Sequence, residues 1–160
     1  MPETFLPSIT NGDQDQPSRP PRSWDPRLDQ RNAVLTKYDP RPGTTWYKLI
    51  RAEWRDVEQS RGLHHILVDV VDEWGVRLTG VPVRFVNGGE FVAFTEPKPG
   101  EEAAVSFGMF AVGCAYSVEV AYASDRVSCL GLGTIEDPDH ALHTSYYFVF
   151  QRTTQGPQDG

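Results

Sequence analysis

Two cysteines, Cys114 and Cys129, are all that the 160 residues contain. That excludes a disulfide-dense scaffold and any CxxC-based metal ligation. No stretch approaches 18 apolar residues, which excludes a helical membrane span. The first ten residues, MPETFLPSIT, have neither a basic region nor a long apolar core and do not read as a secretory signal. Basic residues are also short: 15 Lys and Arg stand against 22 Asp and Glu, a formal charge of −7. Phosphate binding needs a basic stripe, so nucleic acid is not an expected partner. Also missing are HExxH, a GxSxG nucleophile elbow and a Walker loop. Gly131-Leu132-Gly133 is followed by no Lys-Ser/Thr pair, so it reads as a turn or a close backbone approach.

What is present is unevenly spread. Residues 1–42 hold eight of the 13 prolines but only three of the 18 aromatics. They carry six acids and six bases, so the rest of the chain carries the whole acidic excess. A segment so poor in apolar surface does not offset its own ordering entropy. Residues 1–42 are therefore expected to form an extended or disordered arm, with Trp24, Leu28, Val34 and Leu35 as docking points for a partner.

Residues 43–152 read as a domain of strands, and 153–160 as a loose tail. Period-two alternation places Trp46, Lys48, Ile50, Ala52 and Trp54 on one face of the first strand. Further runs follow at 64–71, 81–87, 90–95, 103–110, 115–122 and 143–152. Within them Val81, Val83 and Phe85, then Tyr116, Val118 and Val120, then Tyr146, Phe148 and Phe150, share faces. Gly88-Gly89 marks a hairpin. Residues 124–142 read as a long connection. About seven short strands and no helical period predict an all-β, two-sheet antiparallel sandwich.

Within 66–120, Asp72, Gly75, Gly80, Val81, Val83, Gly113, Tyr116, Val118 and Val120 follow a recurring pattern. A strand and an acidic-Gly turn lead to an x-G-V-x-V strand, a Gly-rich loop and a G-x-Y-x-V-x-V strand. This resembles the immunoglobulin-like and transthyretin-like sandwich modules related to carboxypeptidase regulatory domains. A longer pattern, from PGTTWYKLIRAEW to HTSYYFVFQR, resembles accessory domains of bacterial surface or cell-wall-active proteins. Both resemblances imply a non-catalytic module, and neither supplies catalytic residues.

The best raw material for binding is aromatic, because amphipathic rings stack on sugars and anchor interfaces. Trp74 lies in a tight turn between charged residues, where burial is least expected. Trp74 and Tyr122, with Asp125 and His140 in neighbouring loops, form the expected ligand-binding set. A metal site would need one of His64 and His65 with His140 or His143 and a carboxylate, since adjacent strand residues point to opposite faces. The plainer reading is a hydrogen-bonded strand-end histidine, and no metal or other cofactor is expected. Asp72-Glu73 with Glu136-Asp137-Pro138-Asp139 offers oxygen ligands but lacks regular calcium-loop spacing, so solvated acidic turns are the plainer reading. A Cys114–Cys129 bridge would close a loop of about 15 residues, worth about 3 kcal/mol in the chain-entropy account.

These observations lead to a binding module for a carbohydrate or cell-envelope polymer. The alternative is a structural assembly subunit, such as a virion decoration or surface-lattice protein, whose arm docks on copies of itself. Either role favours an extracellular surface or a virion. An enzyme, in the form of a metal-dependent hydrolase using His64, His140 and His143, is the weakest of the three.

Overall fold

The computed structural model describes residues 22–156. Residues 1–21 of the expected arm and 157–160 of the expected tail lie outside the described residues. The fold is an all-β sandwich of two five-stranded sheets. Its strands are β1 (Ser23–Trp24), β2 (Val34–Thr36), β3 (Trp46–Arg55), β4 (His65–Val71), β5 (Pro82–Val86), β6 (Glu90–Phe94), β7 (Val105–Gly108), β8 (Tyr116–Val120), β9 (Arg126–Leu130) and β10 (Ser145–Thr153). Two single-turn helices, α1 (Arg27–Gln30) and α2 (Val57–Ser60), follow β1 and β3. One sheet runs β1-β3-β10-β4-β7 and the other β2-β9-β8-β5-β6.

The inner faces follow the alternation. Tyr146, Phe148 and Phe150 of β10 are fully buried and meet Val83, Phe85, Val118 and Val120 from the facing sheet in one core. Two strands depart from strict alternation, each through a bulge. β10 pairs Val149 with Arg51 but Phe150 with Leu49, which leaves Ile50 extra on β3. An extra residue inverts the side-chain phase. The core therefore receives Tyr47 and Leu49 before the bulge and Ala52 and Trp54 after it, not the continuous series from Trp46 expected above. Trp46 is still buried, because its indole N–H donates to the Gln155 carbonyl and its ring lies 5.9 Å from that of Tyr38. The second irregularity explains a missed strand. β8 pairs Tyr116 with Leu130 and Val118 with Val127, so β9 buries residues three apart and shows no period of two. What read as a long connection at 124–142 thus contains β9, and Cys129, bridged to Cys114, sits within it.

The sheets are not wholly antiparallel. β10 runs antiparallel to β3 but parallel to β4 over residues 146–151. The cause is where the chain enters. Ser145 Oγ donates to the Leu63 carbonyl and accepts from His65 N–H, so β10 begins at the end where β4 begins.

Residues 22–42 correct the expected arm. They fold onto their own sandwich as β1, α1 and β2, and β1 and β2 close one side of it. Arginines do the stitching. Arg22 donates to the Leu49 carbonyl (2.7 Å), Arg27 to that of Trp54 (2.8 Å) and Arg31 to that of Leu132 (3.0 Å). Asp25 accepts from the Trp54 amide and from Arg27. Leu28, fully buried, joins the main core, so it is not free to dock on a partner. Trp24 packs against the core with its indole N–H on Asp29, and Leu35 packs there too. Val34 alone of the four expected docking residues is exposed. Composition missed this segment because charged hydrogen bonds to backbone carbonyls, rather than apolar area, hold most of it. At the other terminus, Thr153 is buried in β10, so the strand runs past the boundary expected at 152.

If residues 22–42 belong to the fold, Leu28→Ala removes a core side chain and lowers unfolding stability by about 2–5 kcal/mol. Urea denaturation checks this; a loss below about 0.5 kcal/mol, typical of a surface change, would return the segment to the status of an arm.

Candidate functional site

One end of the sandwich gathers exposed aromatic rings on a fixed frame. β4 ends at Val71, and the chain turns through Asp72-Glu73-Trp74-Gly75. The Asp72 carboxylate accepts the amides of Trp74 (2.8 Å) and Val76 (2.9 Å). The Gly75 amide donates to the Asp72 carbonyl, and Gly75 takes φ +88°, a backbone region that disfavours any side chain. The Val76 amide, more than any other group, holds the Asp72 carboxyl below its usual range. Gln151 Nε2 donates to the carbonyls of Asp72 and Glu73 from β10. The backbone under Trp74 is thus held on both sides, while its side chain is 83% exposed.

Glu73 and Arg152 form a forked ion pair beside it, with Nη2 3.0 Å from Oε1. Hydrogen bonding to Arg152 keeps the Glu73 carboxyl below its usual range. Tyr122 is 60% exposed and stacks on Tyr47, with ring centroids 6.1 Å apart. Tyr47 is buried, and burial pushes its hydroxyl up while the nearby Arg152 charge pulls it down. Glu73 and Tyr122 act on the same hydroxyl. One end therefore holds Trp74, Tyr122, Tyr47, Glu73 and Arg152.

Of the expected ligand-binding set, the structure brings Trp74 and Tyr122 to this end. It does not add Asp125 or His140. Asp125 has no exposed surface and accepts from Arg22, Tyr38 N–H and Leu49 N–H, so it anchors backbone beneath the platform instead of meeting a ligand. His140 lies in the loop that leads into the start of β10, whereas the Trp74 turn meets Gln151 near the end of β10. Its ring contacts Asp137 at 2.6 Å, and that hydrogen bond raises its pKa. The two acidic segments stand at opposite ends of β10 for the same reason and do not converge on one ion. Arg152 and the underlying Tyr47 were missed as a unit, because their meeting with Tyr122 depends on sheet register that no local motif reports.

The histidines form a second cluster at the far end. His64 precedes β4, so strand alternation does not separate it from His65. Its ring lies 4.8 Å from those of His65 and His143 and 5.2 Å from Phe110, which is 78% exposed. His64 Nδ1 sits 2.8 Å from the Met109 carbonyl, while His65 Nδ1 faces the His64 amide at 3.3 Å. Among the described residues, no group of three or more His, Cys, Asp or Glu is placed to hold a metal ion. No described helix is long and apolar enough to cross a membrane.

No family model, curated protein or solved structure matches this chain.

The histidine cluster makes a pH prediction. Burial, then the neighbouring His64 charge, lowers the His65 pKa. The unfolded chain then binds the proton first, so this contribution is full above the ordinary histidine pKa of about 6.5. It is lost as pH falls from there through the folded value. His140, raised by Asp137, works in the opposite sense, so a difference measurement is needed. The melting temperature of the wild type relative to His65→Gln is expected to fall as pH drops below about 6.5. Parallel pH profiles would contradict it.

Proposed function

We propose that this chain is a non-catalytic binding module that holds a carbohydrate or cell-envelope polymer on the Trp74–Tyr122 end of its sandwich. The observation that carries the reading is Trp74: a large ring, 83% exposed, on a turn fixed by Asp72 and Gln151. An exposed indole on a held backbone binds with little ordering cost. Its face suits the C–H face of a sugar ring. The Glu73–Arg152 pair beside it supplies acceptors and donors for hydroxyl groups. Tyr122, backed by Tyr47, offers a second ring. The expected sandwich-module resemblance agrees with this role, and it rests on sequence motifs alone.

The assembly-subunit alternative relied on an arm free to reach a neighbour. With residues 22–42 on their own sandwich, Val34 is the one named docking residue left exposed. The carbohydrate reading has the better-formed surface.

Pull-down on insoluble peptidoglycan and a panel of neutral polysaccharides tests it. The wild type should bind at least one polymer. Trp74→Ala should weaken that binding by at least about tenfold, or 1.4 kcal/mol, with an unchanged melting temperature. Binding to none of the polymers, or full retention by the variant, would sink the proposal.

A further inference from the structure

The sheet edges are unequal. β1 spans two residues, β2 three and β7 four. β6, the outer strand of its sheet, spans five and carries Phe91, Val92 and Phe94, which are 50%, 39% and 57% exposed. A long apolar edge strand presents unpaired amides and carbonyls to solvent and invites another strand.

Hydrogen bonding shows which groups are unpaired. Thr95 N–H donates to the Val81 carbonyl, the Thr95 carbonyl accepts from Gly80, and the Gly89 carbonyl accepts from Asn87. In an antiparallel ladder the bonded residues alternate. Odd-numbered residues from 89 to 95 therefore direct their backbone groups toward β5. Glu90, Val92 and Phe94 direct theirs away from the sheet. Val92 is the midpoint of the strand.

We propose that β6 pairs with β6 of a second copy, antiparallel and two-fold about Val92, making one sheet continuous across a homodimer. This register overlaps the two strands fully and puts Val92 opposite Val92 and Glu90 opposite Phe94. Each of those residues is outward-bonding, so every free amide and carbonyl of the strand meets a partner. Centring on residue 91 or 93 would still pair outward-bonding residues, but it would leave Phe94 or Glu90 opposite a residue beyond the strand and shorten the overlap. The side chains agree. Phe91 falls opposite Ala93, large against small. Glu90, the one charged residue of the strand, faces Phe94 rather than its own copy, and it already pairs with Arg84. Self-pairing thus opposes no like charges, which matters in a chain of net charge −7. The interface contains no residue of the Trp74 turn and does not depend on the carbohydrate reading.

Light scattering after size exclusion, on the full chain over a micromolar concentration range, tests the proposal. The wild type is expected to reach twice the 17.9 kDa of one chain. Val92→Lys places two cations at the two-fold and should give the monomer mass. Val92→Glu should do the same, and it faces Arg84 within its own copy, so it serves if a lysine beside Arg84 weakens the fold. An equimolar mixture of the two variants should restore the doubled mass, because position 92 meets position 92. Trp74→Ala should stay dimeric. A wild type that remains monomeric throughout, or a dimer that persists in both Val92 variants, would overturn the proposal.

Discussion

A carboxylate with no exposed surface holds three parts of this chain together. Asp125 Oδ2 accepts from Arg22 Nη1 (3.0 Å) and the Leu49 amide (2.9 Å), and Oδ1 accepts from the Tyr38 amide (2.8 Å). Its own amide donates to the Tyr47 carbonyl. Burying a carboxylate costs several kcal/mol unless charge and hydrogen bonds offset it. Here the offset comes from both ends of the N-terminal segment and from β3 at once. Without Asp125 the segment loses anchors at Arg22 and Tyr38, and the side of the sandwich that β1 and β2 close is left open.

The same residue links fold to site. Tyr47 N–H donates to the Ala123 carbonyl and the Tyr47 carbonyl accepts from Asp125, so the backbone on either side of Ser124 is tied to β3. Tyr122 stacks on Tyr47 immediately above this tie. The aromatic platform is therefore a consequence of how the sheets are joined at that end. Trp74 is set separately, by its Asp72 turn. The Glu73–Arg152 pair joins the two because Arg152 sits on β10 at the register of Tyr47.

How far the sequence could be read follows from this construction. The strands with clean alternation, β5, β8 and the inner face of β10, were legible because a period of two records burial directly. β3 was legible as a strand but not in its full inner face, and β9 not at all, since a bulge in each ladder shifts the phase and no local residue announces it. The segment 22–42 was misjudged on apolar content, when arginine-to-carbonyl bonds and one buried leucine hold it. At the site, Trp74 was legible because an indole in an acid-glycine turn has nowhere to be buried. Asp125 was not, since a loop aspartate looks the same in sequence whether it meets solvent or two distant amides and a guanidinium. The Val92 edge was equally hidden, for the direction of a strand's free amides is set by pairing.

Equilibrium urea unfolding of Asp125→Ala tests the central claim most directly. Removing one side of a buried ion pair takes the counter-charge from Arg22 and the acceptor from two amides, and the predicted loss is about 3–5 kcal/mol. A loss within about 1 kcal/mol, the range of an exposed salt bridge, would contradict the account and would mean that the N-terminal segment is held by other contacts.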